Sequence, residues 1–124
     1  MDRSQAQDVR DAVAQVTGWL DDETADRPDR ATLARAVRLS LRVLPAIAPG
    51  RSVEVRVPPF AAVQCVPGPR HTRGTPPNVI ETDPRTWLAL ATGRLSWPAA
   101  VEAGRVAASG SRADISDLLP VVRM

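Results

Sequence analysis

Three glycines, Gly93, Gly104 and Gly110, cut the stretch after Asp83 into a helix, a shorter helix and a strand. Elements this short must lie across a sheet to bury their apolar sides. Asp83 is an N-cap residue and Pro84 suits the first helical position. Trp87, Leu88, Leu90 and Ala91 give this helix, residues 83–92, one apolar side, and Gly93 fits its C′ position. Ser96 caps a second helix over residues 97–103, with Pro98 in its first turn and Gly104 past its end. Arg105 to Ser109 reads as a strand built on Val106, closed by Gly110. Such pieces need partners from earlier in the chain, because neither a short helix nor a lone strand is stable in water.

Those partners are legible upstream. Ser4 and Gln7 stand in capping-box spacing, and Val9, Val13, Val16 and Leu20 then mark one face of a helix over residues 5–20. Residues 21–30 are polar, contain Pro28 and form a loop. Leu33, Val37, Leu41 and Leu44 are the buried stripe of a second helix over residues 29–44, ended by Pro45, Pro49 and Gly50. Arg35, Arg38 and Arg42 form its second stripe, a solvated face or a contact for acidic lipid or nucleic acid. Ser52 to Val57 alternates cleanly between apolar and polar, as a strand with one wet face does, and Pro58-Pro59 stops it. Residues 60–66 are a second β-capable run, Pro67-Gly68-Pro69 a turn, residues 70–77 a loop, and residues 78–82 a short strand. Ile115, Leu118 and Leu119 give one apolar side to a last helix over residues 114–119. The order α-α-β-β-β-α-α-β-α predicts an α+β fold, a small, mostly antiparallel sheet covered by helices. The expected organisation is one domain over residues 1–124, with a helical pair over 1–48 and the sheet with its covering helices over 49–124.

Composition narrows the functional classes. The chain has 124 residues, 44% hydrophobic and 24% charged, so it can build a core and is not a disordered polymer. Cys65 is its only cysteine, which excludes a disulfide scaffold. No apolar run approaches the ~20 residues of a membrane span, and the first residues mix Asp2, Arg3 and Asp8 with apolar positions, unlike a leader peptide. A soluble, cytoplasmic protein without membrane insertion is expected. All sixteen cationic residues are Arg, as codon bias in a GC-rich genome gives, and the net charge is only +2. That is too weak to argue for nucleic acid as a partner.

The residues from Thr82 to Gly110, TDPRTWLALATGRLSWPAAVEAGRVAASG, resemble the C-terminal half of the sterol carrier protein family, the small non-specific lipid carriers. The shared order is helix, Gly-basic, short helix, Gly-basic, strand, Gly. Thr92-Gly93-Arg94, Gly104-Arg105-Val106 and Gly110 carry it, with the glycines eleven and six positions apart. Residues 114–122 look like the family's C-terminal helix, which covers the sheet. The N-terminal half departs from the pattern. Its strand region is shortened and broken by Pro58-Pro59, and a Pro-Gly-Pro-Arg-His-Thr-Arg-Gly loop replaces the family's charged hairpin, as in a compact bacterial branch. The resemblance implies a non-enzymatic protein that binds or carries a hydrophobic, lipid-like ligand in the cytoplasm.

Under that implication Val55, Val57, Phe60, Val63, Trp87, Leu90, Leu95, Trp97, Val101 and Val106 line an apolar slot. Arg70, His71 and Arg73 then hold a polar head, since guanidinium forks suit carboxylate and phosphate. The same apolar residues equally make a solid core. In that case the chain is an accessory or protein-interaction module, with a homodimer or protein partner instead of a lipid. No catalytic residue is expected. Cys65 and His71 lie six positions apart across a turn, but Cys65 sits in an apolar run and reads as an inert thiol. One His and one Cys make no ordinary zinc site, and no glycine motif cradles a phosphate, so neither a metal nor a cofactor is expected.

Overall fold

The computed structural model describes residues 1–68 and 77–124. Strands β1 (Val53–Val57), β2 (Ala61–Cys65), β3 (Asn78–Thr82) and β4 (Val106–Ser109) form one sheet in the order β2-β1-β3-β4. The β1–β2 and β3–β4 pairs are antiparallel, as expected, while β1 and β3 run parallel and make the sheet mixed. The register explains this. Val53 faces Cys65 on one side and Asn78 on the other, so β2 ends and β3 begins at the end of the sheet where β1 starts. A chain that enters β3 there must run alongside β1 in the same direction.

Alternation along the strands sorts the two faces. Val53, Val55, Val57, Cys65, Ile80 and Val106 are buried on one face. Glu54, Arg56, Val79 and Gln64 are half-buried on the other, and Ala62, Glu81 and Ala107 are exposed there. Among the described residues, the helices cover the first face. They are α1 (Arg3–Ala14), α2 (Thr17–Asp21), α3 (Arg30–Leu41), α4 (Val43–Ile47), α5 (Pro84–Ala91) and α6 (Trp97–Glu102).

The two helices after Asp83 form where the sequence places them, with Asp83 and Ser96 accepting from the Thr86 and Ala99 amides. The N-terminal helices differ from expectation. The helix expected over residues 5–20 is divided into α1 and α2, and its capping box is Asp2 with Gln5 instead of Ser4 with Gln7. An Asp carboxylate is as strong an N-cap acceptor as a Ser hydroxyl, and Asp2 comes earlier. Val16, Thr17 and Gly18 are poor helix formers and mark the break. The helix expected over residues 29–44 is divided at Arg42 into α3 and α4. Pro45 has no N–H for the Leu41 carbonyl, yet it fits the first turn of α4, which continues to Ile47. The helix expected over residues 114–119 shrinks to a single 3-10 turn, Ser116–Leu118, because Pro120 stops it almost at once.

Trp87 is the centre of the core. It is fully buried, together with Leu33, Val37, Leu41, Leu44, Ile80 and Leu88. Its indole N–H donates to Ser40 Oγ at 2.9 Å, and that hydroxyl donates to the Ala36 carbonyl at 2.6 Å. A polar chain two bonds long thus fixes α5 against α3 and gives both of these buried donors an acceptor.

Candidate ligand-binding groove

The helix-to-helix connection after α5 builds one wall of a groove of about 310 Å³. Thr92 ends the helix, and Gly93 reverses the chain at φ 79°. The Arg94 and Leu95 amides then both donate to the Ala89 carbonyl, at 2.8 and 3.1 Å. This pair of hydrogen bonds folds the connection tightly onto α5 and sets Leu95 beside Leu90. Trp97 and Pro98 follow as the first turn of α6, below the Ser96 cap. The opposite wall is Leu119 and Pro120. That segment is docked by the Val121 and Val122 amides, which both donate to the Ala91 carbonyl, at 2.9 and 3.0 Å. The groove is open to solvent on one side, with Gly93, Ser96 and Ser116 completing its lining.

The same connection is tied to the N-terminal helices. The Arg94 guanidinium donates two bonds to the Asp21 carboxylate, at 2.6 and 3.0 Å. Hydrogen bonding to Arg94 holds the Asp21 carboxyl below its ordinary value of 3.8. At the start of α5, Arg85 lies over the Trp19 ring, 4.6 Å from its centroid, and donates to the Trp19 carbonyl at 2.8 Å. The short helix α2 is therefore clasped at two points to the segment that carries the groove.

Of the residues expected to line a slot, Leu90, Leu95 and Trp97 meet in this groove. Val55, Val57, Phe60, Trp87 and Val106 do not line it and pack in the buried core, to which Leu90 and Trp97 also belong. Val63 packs against that core on the edge strand β2, and Val101 is 45% exposed on α6. Arg70, His71 and Arg73, expected to hold a polar head, lie outside the described residues. Sequence reasoning missed Pro98, Ser116, Leu119 and Pro120 as lining residues. The Leu118-Leu119-Pro120 run was the available signal, since a proline after two leucines forbids the helix that would have buried both.

A second groove of about 280 Å³ lies between the start of α1 and the α3–α4 junction, over Val9, Leu39 and Ala46, with Asp8 and Arg42 among its lining residues. The Arg stripe beside it is divided in role. All three arginines are exposed, and Arg38 also donates to the Phe60 carbonyl at 3.1 Å, tying α3 to the β1–β2 turn. Cys65 is buried, and burial pushes its thiol up to about 11, which makes it a poor nucleophile. Among the described residues, no helix is long and apolar enough to cross a membrane.

A family model described as bacterial SCP ortholog matches residues 29–121, a span that contains the whole sheet, α3 to α6 and every lining residue of the 310 Å³ groove. No curated protein matches the chain.

Proposed function

The chain belongs to the bacterial SCP ortholog family, and from that premise we propose that it binds and carries a hydrophobic, lipid-like ligand in the cytoplasm without catalysing a reaction. The observation that carries this reading is the groove between α5, α6 and the C-terminal segment. It lies inside the family-matched span, and Leu90, Leu95, Trp97, Pro98, Leu119 and Pro120 give it apolar walls. Its volume falls at the lower edge of the roughly 300–1,000 Å³ of small-molecule sites. Being open on one side, it avoids the cost of a sealed, dry cavity, about 24 cal/mol per Å³.

Native mass spectrometry of protein purified without detergent tests the proposal. The expected spectrum shows a bound mass of a few hundred daltons that organic solvent releases. A clean apo mass, with no gain in melting temperature from any added lipid, would count against it.

A second reading, a protein-interaction module, draws its support from the sheet. The face bearing Ala62, Glu81 and Ala107 is left accessible, and the ion pair between Glu54 and Arg56, 2.8 Å, lies on it. A dimer mass without any small-molecule adduct in the same spectrum would favour that reading.

A further inference from the structure

The three tryptophans are placed differently. Trp87 gives its indole N–H to Ser40 Oγ in the core, and Trp19 is half-buried under Arg85 and Arg27, 4.6 and 5.9 Å from its ring centroid. Trp97 is only 8% exposed, and it lines the groove between α5, α6 and the C-terminal segment. Among the described residues, Trp87 is the one tryptophan whose N–H has an acceptor, and no buried side-chain nitrogen or oxygen is left without a partner. The Trp97 N–H therefore lies in the small part of that side chain that stays accessible, on the groove the residue lines. The hydroxyls of Ser96 and Ser116 line it too. A hydroxyl rotates and either donates or accepts, whereas an indole N–H can only donate.

We propose that Trp97 determines the class and orientation of the ligand: its N–H donates to an acceptor oxygen, so the groove seats the carbonyl end of an acyl or keto lipid against α6. This rests on the ligand-binding reading of the same groove. A ligand seated there displaces the water that hydrates the N–H. A bare hydrocarbon leaves the donor covered and unpaired, the costly state for a polar group, and a carbonyl restores the bond. The donor is held in place. Ser96 caps α6 by accepting the Ala99 amide at 3.3 Å, Trp97 is the first residue of that helix, and its ring packs in the core cluster. Size points to a single short chain. A dry cavity of about 150 Å³ holds benzene, so about 310 Å³ accommodates on the order of a dozen heavy atoms.

The test follows the Trp97 indole proton by NMR during titration with octan-2-one, which carries one acceptor, and with non-1-ene, a chain of the same size that carries none. In the ligand-free protein that proton is expected to exchange readily with water. Octan-2-one is expected to move it downfield, as hydrogen bonding does, and non-1-ene is not. Trp97→Phe keeps an aromatic ring and removes the donor. The ratio of octan-2-one to non-1-ene affinity is expected to fall about five-fold in that variant, one hydrogen bond's worth, and taking the ratio cancels the change in ring size. An indole proton protected from exchange before any ligand is added is already taken within the chain and overturns the proposal. So does octan-2-one binding without the downfield shift, or an unchanged ratio in the folded variant, and each of these leaves the groove a ligand site. The first two readouts need no variant. Binding of neither compound overturns the ligand-binding reading beneath the proposal.

Discussion

Gly104 and Gly110 both hold positive φ, at 71° and 100°, but they differ in what surrounds them. Nothing lies within 4 Å of the position a Cβ would take at Gly104. At Gly110 that atom would collide with Asn78 Oδ1 and sit 2.5 Å from the Pro77 carbonyl oxygen. Gly104→Ala is therefore expected to cost only the left-handed conformation, about 1–2 kcal/mol. Gly110→Ala adds a clash with backbone, a further ~1–3 kcal/mol, and the difference is readable as a shift in urea midpoint. Sequence reading identifies both as stops but cannot rank them, because the ranking depends on where Asn78 comes to lie. That residue is itself unmarked in the sequence. Buried, it donates to the Ser52 carbonyl at 2.8 Å and accepts from the Arg112 amide at 2.9 Å, joining β1, β3 and the turn after β4. Ser40 is hidden in the same way, a small polar residue inside an apolar stripe. Ser40→Ala leaves the buried Trp87 indole N–H without an acceptor, and the expected loss is ~1–3 kcal/mol in the same denaturation experiment.

Elements were legible in proportion to how local their causes are. The helices after Asp83 and Ser96 are written in caps, prolines and apolar spacing, all within one turn, and they form as read. The division of the first helix depends on weak propensities over Val16, Thr17 and Gly18, which the regular spacing of Val9, Val13, Val16 and Leu20 conceals. The contact between α2 and the groove was not legible at all, since Asp21 and Arg94 are 73 positions apart. Arg94→Ala is expected to loosen the connection between α5 and α6 and weaken ligand binding. Melting temperature should change little, because an exposed ion pair adds little stability. Lipid titration beside thermal melting separates the two effects, and a large fall in melting temperature with unchanged affinity would refute the positioning role. The pH dependence follows from the direction of the Asp21 shift. Its carboxyl binds a proton less readily in the folded chain than in the unfolded one, so its contribution is present above 3.8 and is lost as pH falls through the lower folded value. Asp22, held down by the Thr24 hydroxyl and amide, and Asp29, held down chiefly by the Thr32 amide, act in the same direction. Melting temperature is expected to decline below about pH 4, with the decline smaller in Arg94→Ala.

At the scale of the molecule, period-two alternation shows which residues face inward on the sheet but not whether a ligand or other side chains meet them there. Val55, Val57, Phe60, Trp87 and Val106 pack into the core alone, Leu90 and Trp97 belong to the core and also reach the groove, and the half-buried Leu95 reaches it from beside the core. The parallel pairing of β1 with β3 was equally invisible, because it depends on which end of the sheet the β2–β3 connection joins. The half-buried Leu95 offers the cleanest intervention. Leu95→Trp fills the groove from a connecting segment, so it is expected to abolish lipid binding with melting temperature nearly unchanged. Leu90→Trp, at a position only 1% exposed, should overpack the core and cost ~1–3 kcal/mol. The most direct measurement is an NMR titration of the isotope-labelled protein with dodecan-1-ol. Shift changes concentrated at Leu90, Leu95, the Trp97 indole and Leu119, saturating together, are the predicted result. Changes clustered on Ala62, Glu81 and Ala107, or none at all, would contradict a lipid seat between the last two helices and the C-terminal segment.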